Sequence, residues 1–160
     1  MIFSPENLEI FKQLTLAAFL GALIGMEREL AKKTAGMRTY ALVSTGAALF
    51  SIISVVVFNQ YLGISSLDPS RIASQIVVGV GFLGAGMIIF HESKVQGLTS
   101  AAGLWVSAAI GMAVGYELYA IAVFSTILTL FIFVILWKLE GLIIRALRKS
   151  ENSGEKAVND

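Results

Sequence analysis

Cysteine is absent from the 160 residues, histidine occurs once and proline twice. Without cysteine there are no disulfides, no thiolate metal sites and no thiol nucleophile. His91 stands alone, so no second His or Cys is present to share a metal ion, and no Ser/His/Asp set suggests itself. The expectation is therefore a protein that is not an enzyme, with no catalytic residues, no metal and no cofactor. Charge is scarce as well. Asp, Glu, Lys and Arg make up 14% of the chain, against about 25% in an average soluble domain. The net charge of +1 creates no bulk field to attract nucleic acid. The opening Met1–Glu9 has no basic segment and carries Glu6 and Glu9 ahead of the first apolar run. That is unlike a secretory signal, so the first helix is expected to be retained.

What the chain has instead is apolar surface. Hydrophobic residues reach 56% and mean hydropathy is +0.79. A soluble fold of this length needs more polar side chains to cover itself, so lipid is the expected neighbour. A hydrocarbon core of about 30 Å takes roughly 20 apolar residues per helix. Five segments fit: residues 8–26, 39–61, 72–90, 100–116 and 118–137. Lys12 lies near the end of the first, where it can snorkel. Asp68-Pro69-Ser70-Arg71 reads as a helix start with an acidic cap. Residues 91–98 read as a polar loop, and Gly115-Tyr116-Glu117 as a tight turn. Trp137 and Lys138 follow the last span as an interfacial pair. The fold class is thus an all-α membrane protein, a bundle of about five transmembrane helices occupying residues 1–149.

Charge sets the orientation. With the 27–38 loop in the cytoplasm, that side holds Arg28, Lys32, Lys33, Arg38, Lys94, Lys138, Arg145, Arg148, Lys149 and Lys156, and the other side only Lys12 and Arg71. Ten against two is a strong positive-inside bias, placing the N-terminus outside and the C-terminus in the cytoplasm. Residues 139–149 mix Leu142, Ile143, Ile144 and Leu147 with Arg145, Arg148 and Lys149. They form either an interfacial helix on an anionic leaflet or an extension of the fifth helix. Residues 150–160 are polar, with the composition of a disordered tail.

Glycine is abundant and patterned. Gly79, Gly81, Gly84 and Gly86 formally match a dinucleotide-binding pattern, but they lie inside an apolar span with no preceding strand. Close helix packing is the better reading, because small residues let backbones approach in lipid. Gly21 and Gly25 form a four-residue step in the first helix. Gly103, Ser107, Gly111 and Gly115 form a longer ladder in the fourth. Three small faces predict a tight bundle, a homodimer or other homo-oligomer, or both. A weak echo links the first two helices to the next two, with Gly21–Gly25 and Gly36-Met37-Arg38-Thr39 answered by Gly81–Ala85 and Gly97-Leu98-Thr99. On this topology it is a parallel repeat, or chance likeness between Gly/Ala-rich helices.

Charged groups fall at helix ends, among them Glu27, Arg28, Asp68, Arg71, Glu92 and Glu117, while Gln75, Ser107, Thr126 and Thr129 are the main polar groups at depth. That weakens a proton relay or a carboxylate-lined pore. Glu27-Arg28 facing Arg38, and Asp68 with Arg71, read either as binding edges or as ordinary charged boundaries.

The segments Gly21-Ala-Leu-Ile-Gly25-Met-Glu27-Arg28-Glu29 with Ala35-Gly36-Met-Arg38-Thr39, Asp68 through Gly86, and Gly97-Leu-Thr99 through Gly111 resemble, in order, the signatures of the MgtC/SapB membrane proteins. The resemblance covers roughly residues 14–123. It implies a multi-pass protein of the bacterial inner membrane, linked to magnesium limitation, stress adaptation and, in some members, survival inside macrophages. It further implies a regulator that contacts another membrane complex, such as the F-type ATP synthase, in preference to the older magnesium-transporter reading. Virulence-associated members carry a C-terminal ACT-like domain. This sequence stops at Asp160 without one, so the expectation is a SapB-like short form. The signatures single out Glu27, Arg28, Arg38, Asp68, Arg71 and Gln75 as a candidate polar cluster.

Overall fold

Ser4 starts the first helix, its hydroxyl accepting the Asn7 N–H at 3.3 Å with Pro5 directly behind it. This Ser-Pro entry satisfies a free amide and presets the first turn. The computed structural model describes residues 4–61, 68, 70–91 and 94–145. The sequence readings at Pro69 and over residues 146–160 lie outside them. Five helices are long and apolar enough to span a bilayer: α1 (Pro5–Leu30), α2 (Met37–Gln60), α3 (Ser70–Met87), α4 (Leu98–Gly115) and α5, which begins at Tyr119 and stays helical through Arg145. The protein is a multi-pass membrane protein.

Two helix ends follow one pattern. After α1 the Lys33 N–H bonds to the Arg28 carbonyl and the Lys32 N–H to that of Glu29; after α4 the Leu118 N–H bonds to Ala113 and the Glu117 N–H to Val114. These paired bonds are Schellman closures, which normally place glycine in the left-handed position. Here Lys32 (φ 56°) and Glu117 (φ 62°) occupy it.

Between α3 and α4 the expected loop is a two-stranded antiparallel hairpin, β1 (Ile89–His91) with β2 (Lys94–Gln96), pairing Ile89 with Gln96 and Phe90 with Val95. α3 accordingly ends at Met87, three residues earlier than its hydropathy suggests. The apolar residues Ile89 and Phe90 belong to a strand whose pairing satisfies backbone groups at the membrane edge. Gly97, at φ 91°, turns the chain into α4 with the Met87 carbonyl lying where a side chain would be. α5 contains one π-helical turn, Ile132–Leu136, and passes through Trp137 in helical geometry. The segment after Trp137 is helical without a break as far as Arg145.

α4 is the central helix and packs against all four others. It runs parallel to α2, and their contact climbs in steps of four residues. Ser107 Oγ donates to the Tyr40 carbonyl at 3.1 Å. Gly111 lies on the Ser44 backbone, and a methyl group at Gly115 would fall 2.6 Å from the Ala48 carbonyl oxygen. From α1, methyl groups at Gly21 and Gly25 would lie 2.6 Å from the Tyr40 carbonyl oxygen and the Met37 Cα. The glycines of α3 differ. Gly84 rests on Ala101 at ordinary distance, while Gly79, Gly81 and Gly86 have no protein atom nearby. Only Val80 and Gly84 of α3 are buried. Because α1 and α3 both run against their successors while α2 and α4 are parallel, the two hairpins point the same way, and both their joints sit at one end of the bundle.

Gly111→Leu is expected to destabilise the protein by at least the roughly 1–3 kcal/mol typical of overpacking, since backbone and not a flexible side chain blocks it. Gly81→Leu, in open space, should change stability by less than about 0.5 kcal/mol. Thermal denaturation in mild detergent compares the two, and equal losses would contradict the assigned packing.

Candidate functional site

α1 ends with a buried charge. Arg28 is only 4% exposed. Its guanidinium bonds the carboxylate of its own neighbour Glu27 through two nitrogens, Nη2 to Oε1 at 2.6 Å and Nε to Oε2. Adjacent helical residues point about 100° apart, so both side chains must curl toward each other. The other partner of Arg28 is aromatic, with Cζ 3.7 Å from the centroid of the Phe133 ring. Phe133 projects from the π turn of α5 toward Gly103, where a methyl group would lie 2.6 Å from its ring edge and 2.9 Å from the Tyr40 hydroxyl. Tyr40 is fully buried and donates to the Ser100 carbonyl at 2.8 Å. One cluster thus joins α1, α2, α4 and α5 at the end that carries both hairpin joints. A cation in the last turn of α1 also suits the negative end of that helix, and single π turns recur at functional sites.

Arg38 is not part of this cluster. It is exposed and forms no ion pair among the described residues. The residue that ties the first joint is Glu29, whose Oε2 accepts the Met37 N–H at 3.0 Å and so caps α2. Gly36 leaves room for that carboxylate.

Asp68, Arg71 and Gln75 lie at the opposite end. Asp68 Oδ1 accepts the Ser70 N–H at 2.8 Å and its carbonyl accepts the Arg71 N–H. The hydrogen bonds from Ser70, with a smaller contribution from the Arg71 charge, hold the Asp68 carboxyl below the ordinary carboxylate range. Asp68 and Arg71 do not form an ion pair at contact distance. Arg71, Ser74 and Gln75 instead line one end of a groove of about 800 Å³ between α2 and α3, which continues past Phe50, Gly46 and Gly79. A second polar group closes the same end of the bundle. Gln13, 4% exposed, donates to the Tyr119 hydroxyl at 3.2 Å and to Glu117 Oε1 at 3.5 Å. Tyr119 in turn donates to Glu9 at 3.2 Å, and Glu9 pairs with Lys12 at 3.1 Å.

The MgtC family matches residues 14–142. The chain belongs to that family. It is 45% identical over 126 residues to "Putative magnesium transporter YhiD" of Escherichia coli (strain K12), covering 78% of this chain and 59% of that protein. Identity to Protein MgtC of Salmonella typhimurium (strain LT2) is 47% over 117 residues, 73% of this chain and 48% of that one. An uncharacterized protein of Haemophilus influenzae is 39% identical over 133 residues, 81% of this chain and 56% of that one. The chain spans about half to three fifths of the length of these curated relatives. No solved structure matches it.

In this MgtC-family chain the six candidate polar residues divide between two ends of the bundle and do not meet. Gly103, Ser107, Gly111 and Gly115 pack inside the chain, as do Gly21 and Gly25. Tyr40, Ser100, Phe133 and Gln13 had no distinguishing signal, since each lies in an apolar run where its partner is far away in sequence.

Glu27→Gln leaves the Arg28 guanidinium buried without a counter-charge and is expected to cost about 3 kcal/mol. Adding Arg28→Met should recover most of that loss. Chemical unfolding in detergent micelles measures both, and a double variant no more stable than the single one would show that the Glu27–Arg28 pairing is not what holds the cluster.

Proposed function

We propose that this protein is a non-enzymatic regulator in the bacterial inner membrane, acting on itself and on a second membrane complex through helix–helix contact under magnesium limitation or stress. The observation that carries this reading is the outer position of α3. It buries only Val80 and Gly84. Gly81 and Ala85, one turn apart on a side directed away from the α2 groove, are exposed. Small residues at such spacing are what lipid-embedded helices use to approach one another. The F-type ATP synthase, which the family resemblance implies, is the partner to test first.

Carriage of magnesium, suggested by the name of the YhiD relative, is the second reading. Mg²⁺ is usually held by carboxylates and retained waters. The groove between α2 and α3 offers Arg71 and no carboxylate along its lining, an electrostatic arrangement that repels a cation. Regulation by contact is therefore preferred. The same proposal places both hairpin joints in the cytoplasm, on the strength of the ten-to-two distribution of basic residues.

Two measurements test it. Crosslinking in intact membranes followed by purification in mild detergent should recover a second membrane complex with the wild type, and at least about tenfold less of it with Gly81→Leu, once its thermal denaturation matches that of the wild type. Recovery that does not change with Gly81→Leu, or flux of Mg²⁺ into liposomes that hold the purified protein alone, would overturn the contact reading. Because the chain lacks cysteine, single substitutions report topology cleanly. Lys33→Cys should react with an impermeant maleimide only from the cytoplasmic side.

A further inference from the structure

The groove between α2 and α3 has a polar end, an apolar trough and a fixed length. Arg71, Ser74 and Gln75 mark the polar end, and Arg71 is the sole charged side chain in the lining. Its guanidinium is exposed and takes part in no ion pair among the described residues. The Asp68 carboxylate caps α3 through Ser70, lies outside the groove lining and makes no contact ion pair with Arg71, whose charge it only weakly offsets. Below the polar end the trough is kept open by Gly46 on α2 and Gly79 on α3, neither of which has a protein atom where a side chain would begin. Leu83 closes it. The run from Arg71 to Leu83 is about 18 Å of helix at 1.5 Å per residue. One leaflet of a hydrocarbon core about 30 Å thick is roughly 15 Å deep. The volume of about 800 Å³ lies within the roughly 300–1,000 Å³ of sites that enclose a small molecule.

We propose that the α2–α3 groove is a phospholipid site, taking one acyl chain along the Gly46–Gly79 trough and an anionic phosphate headgroup against Arg71, Ser74 and Gln75. The sign of the one charge selects an anionic lipid, and the length selects a chain held in a single leaflet. A guanidinium donates two parallel hydrogen bonds to a phosphate, while the serine hydroxyl and glutamine amide supply neutral donors beside it.

Native mass spectrometry of the full chain in mild detergent, titrated with phosphatidylglycerol or phosphatidylcholine of matched chains, tests the site. The wild type should retain one phosphatidylglycerol with about fivefold preference over phosphatidylcholine, equivalent to the roughly 1 kcal/mol that one basic residue contributes near an anionic lipid surface. Arg71→Gln should abolish the preference while still binding lipid. Gly79→Leu, whose Cβ meets no protein atom and whose side chain extends into the trough, should lose the retained lipid of either kind, and an unchanged melting temperature in detergent shows that the variant is folded. Equal retention of both lipids by the wild type, a preference that survives Arg71→Gln, or a retained lipid that survives Gly79→Leu would each overturn the proposal. So would displacement of the lipid by millimolar inorganic phosphate, which would make the headgroup alone the ligand. A lipid-free dimer that dissociates on Gly79→Leu would assign the groove to a second copy and overturn it as well.

Discussion

The approach of α4 to the backbone of α2 is the contact on which the other packing depends. In lipid, apolar side chains gain nothing by leaving solvent, because the solvent is itself apolar. What remains is dispersion, steep in distance and summed over many atoms, and it rewards only helices that come very close. Ser107, Gly111 and Gly115 allow this by presenting almost no side chain to Tyr40, Ser44 and Ala48. α1 reaches α2 by the same means through Gly21 and Gly25. Once α2 is held this near, the Tyr40 side chain extends along α4 to the Ser100 carbonyl. The space at Gly103 then accommodates Phe133, and Phe133 provides a surface for Arg28. The charged cluster is a consequence of small-residue packing and could not exist with alanine-sized bulk at those crossings.

Polarity is distributed accordingly. Between the two ends of the bundle, Ser51, Thr126 and Thr129 bond within their own helices, to Ala47, Ala122 and Ser125, and Ser107 crosses to the Tyr40 carbonyl of α2. The charged groups make their contacts at the ends, Glu27–Arg28 against Phe133 at one and Glu117 with Gln13 and Tyr119 at the other. A buried ion pair is weak evidence for stability, since desolvation offsets much of its attraction. Its better-supported use is to fix register. Arg28 does this by requiring α1, α5 and the π turn to meet at one place. The bundle is thereby pinned at both ends and sealed between them by small residues, which leaves the outer surfaces of the helices as the places where contact with other molecules can be built.

The five spans and the small-residue ladder of α4 were legible in the sequence, because bilayer thickness and helical periodicity give run length and four-residue spacing a direct geometric meaning. Which glycines pack within the chain was not legible. Gly111 and Gly81 look alike in sequence, yet one touches the Ser44 backbone and the other faces outward; the difference depends on which helix is central, a tertiary property. The helix ends at Lys32 and Glu117 were obscured for a local reason, since their left-handed backbone normally selects glycine. The β-hairpin was obscured by its three-residue strands and by apolar residues that continue the α3 pattern. Among the candidate polar residues, the signature positions marked Glu27 and Arg28 together with Arg38, but Glu29 performs the capping at that joint. A carboxylate two positions away is indistinguishable by hydropathy and differs only in the direction that it leaves the helix.

α3 is the helix with the least to hold it. At one end it is fastened by the β-hairpin and by the close seating of Gly97 on the Met87 carbonyl. Along its length Val80 and Gly84 make its buried contacts, against Ala47, Ala108 and Ala101. At the other end the Asp68 cap is local to α3 itself. A helix with shallow side contacts and an open groove beside it changes its tilt at lower cost than α2 or α4, whose movement would have to separate backbone from backbone. Whatever occupies the groove therefore acts on the same helix whose far side carries Gly81 and Ala85. Any preference of the occupant for one position of α3 must appear as an equal change in the affinity of a partner that reads that position.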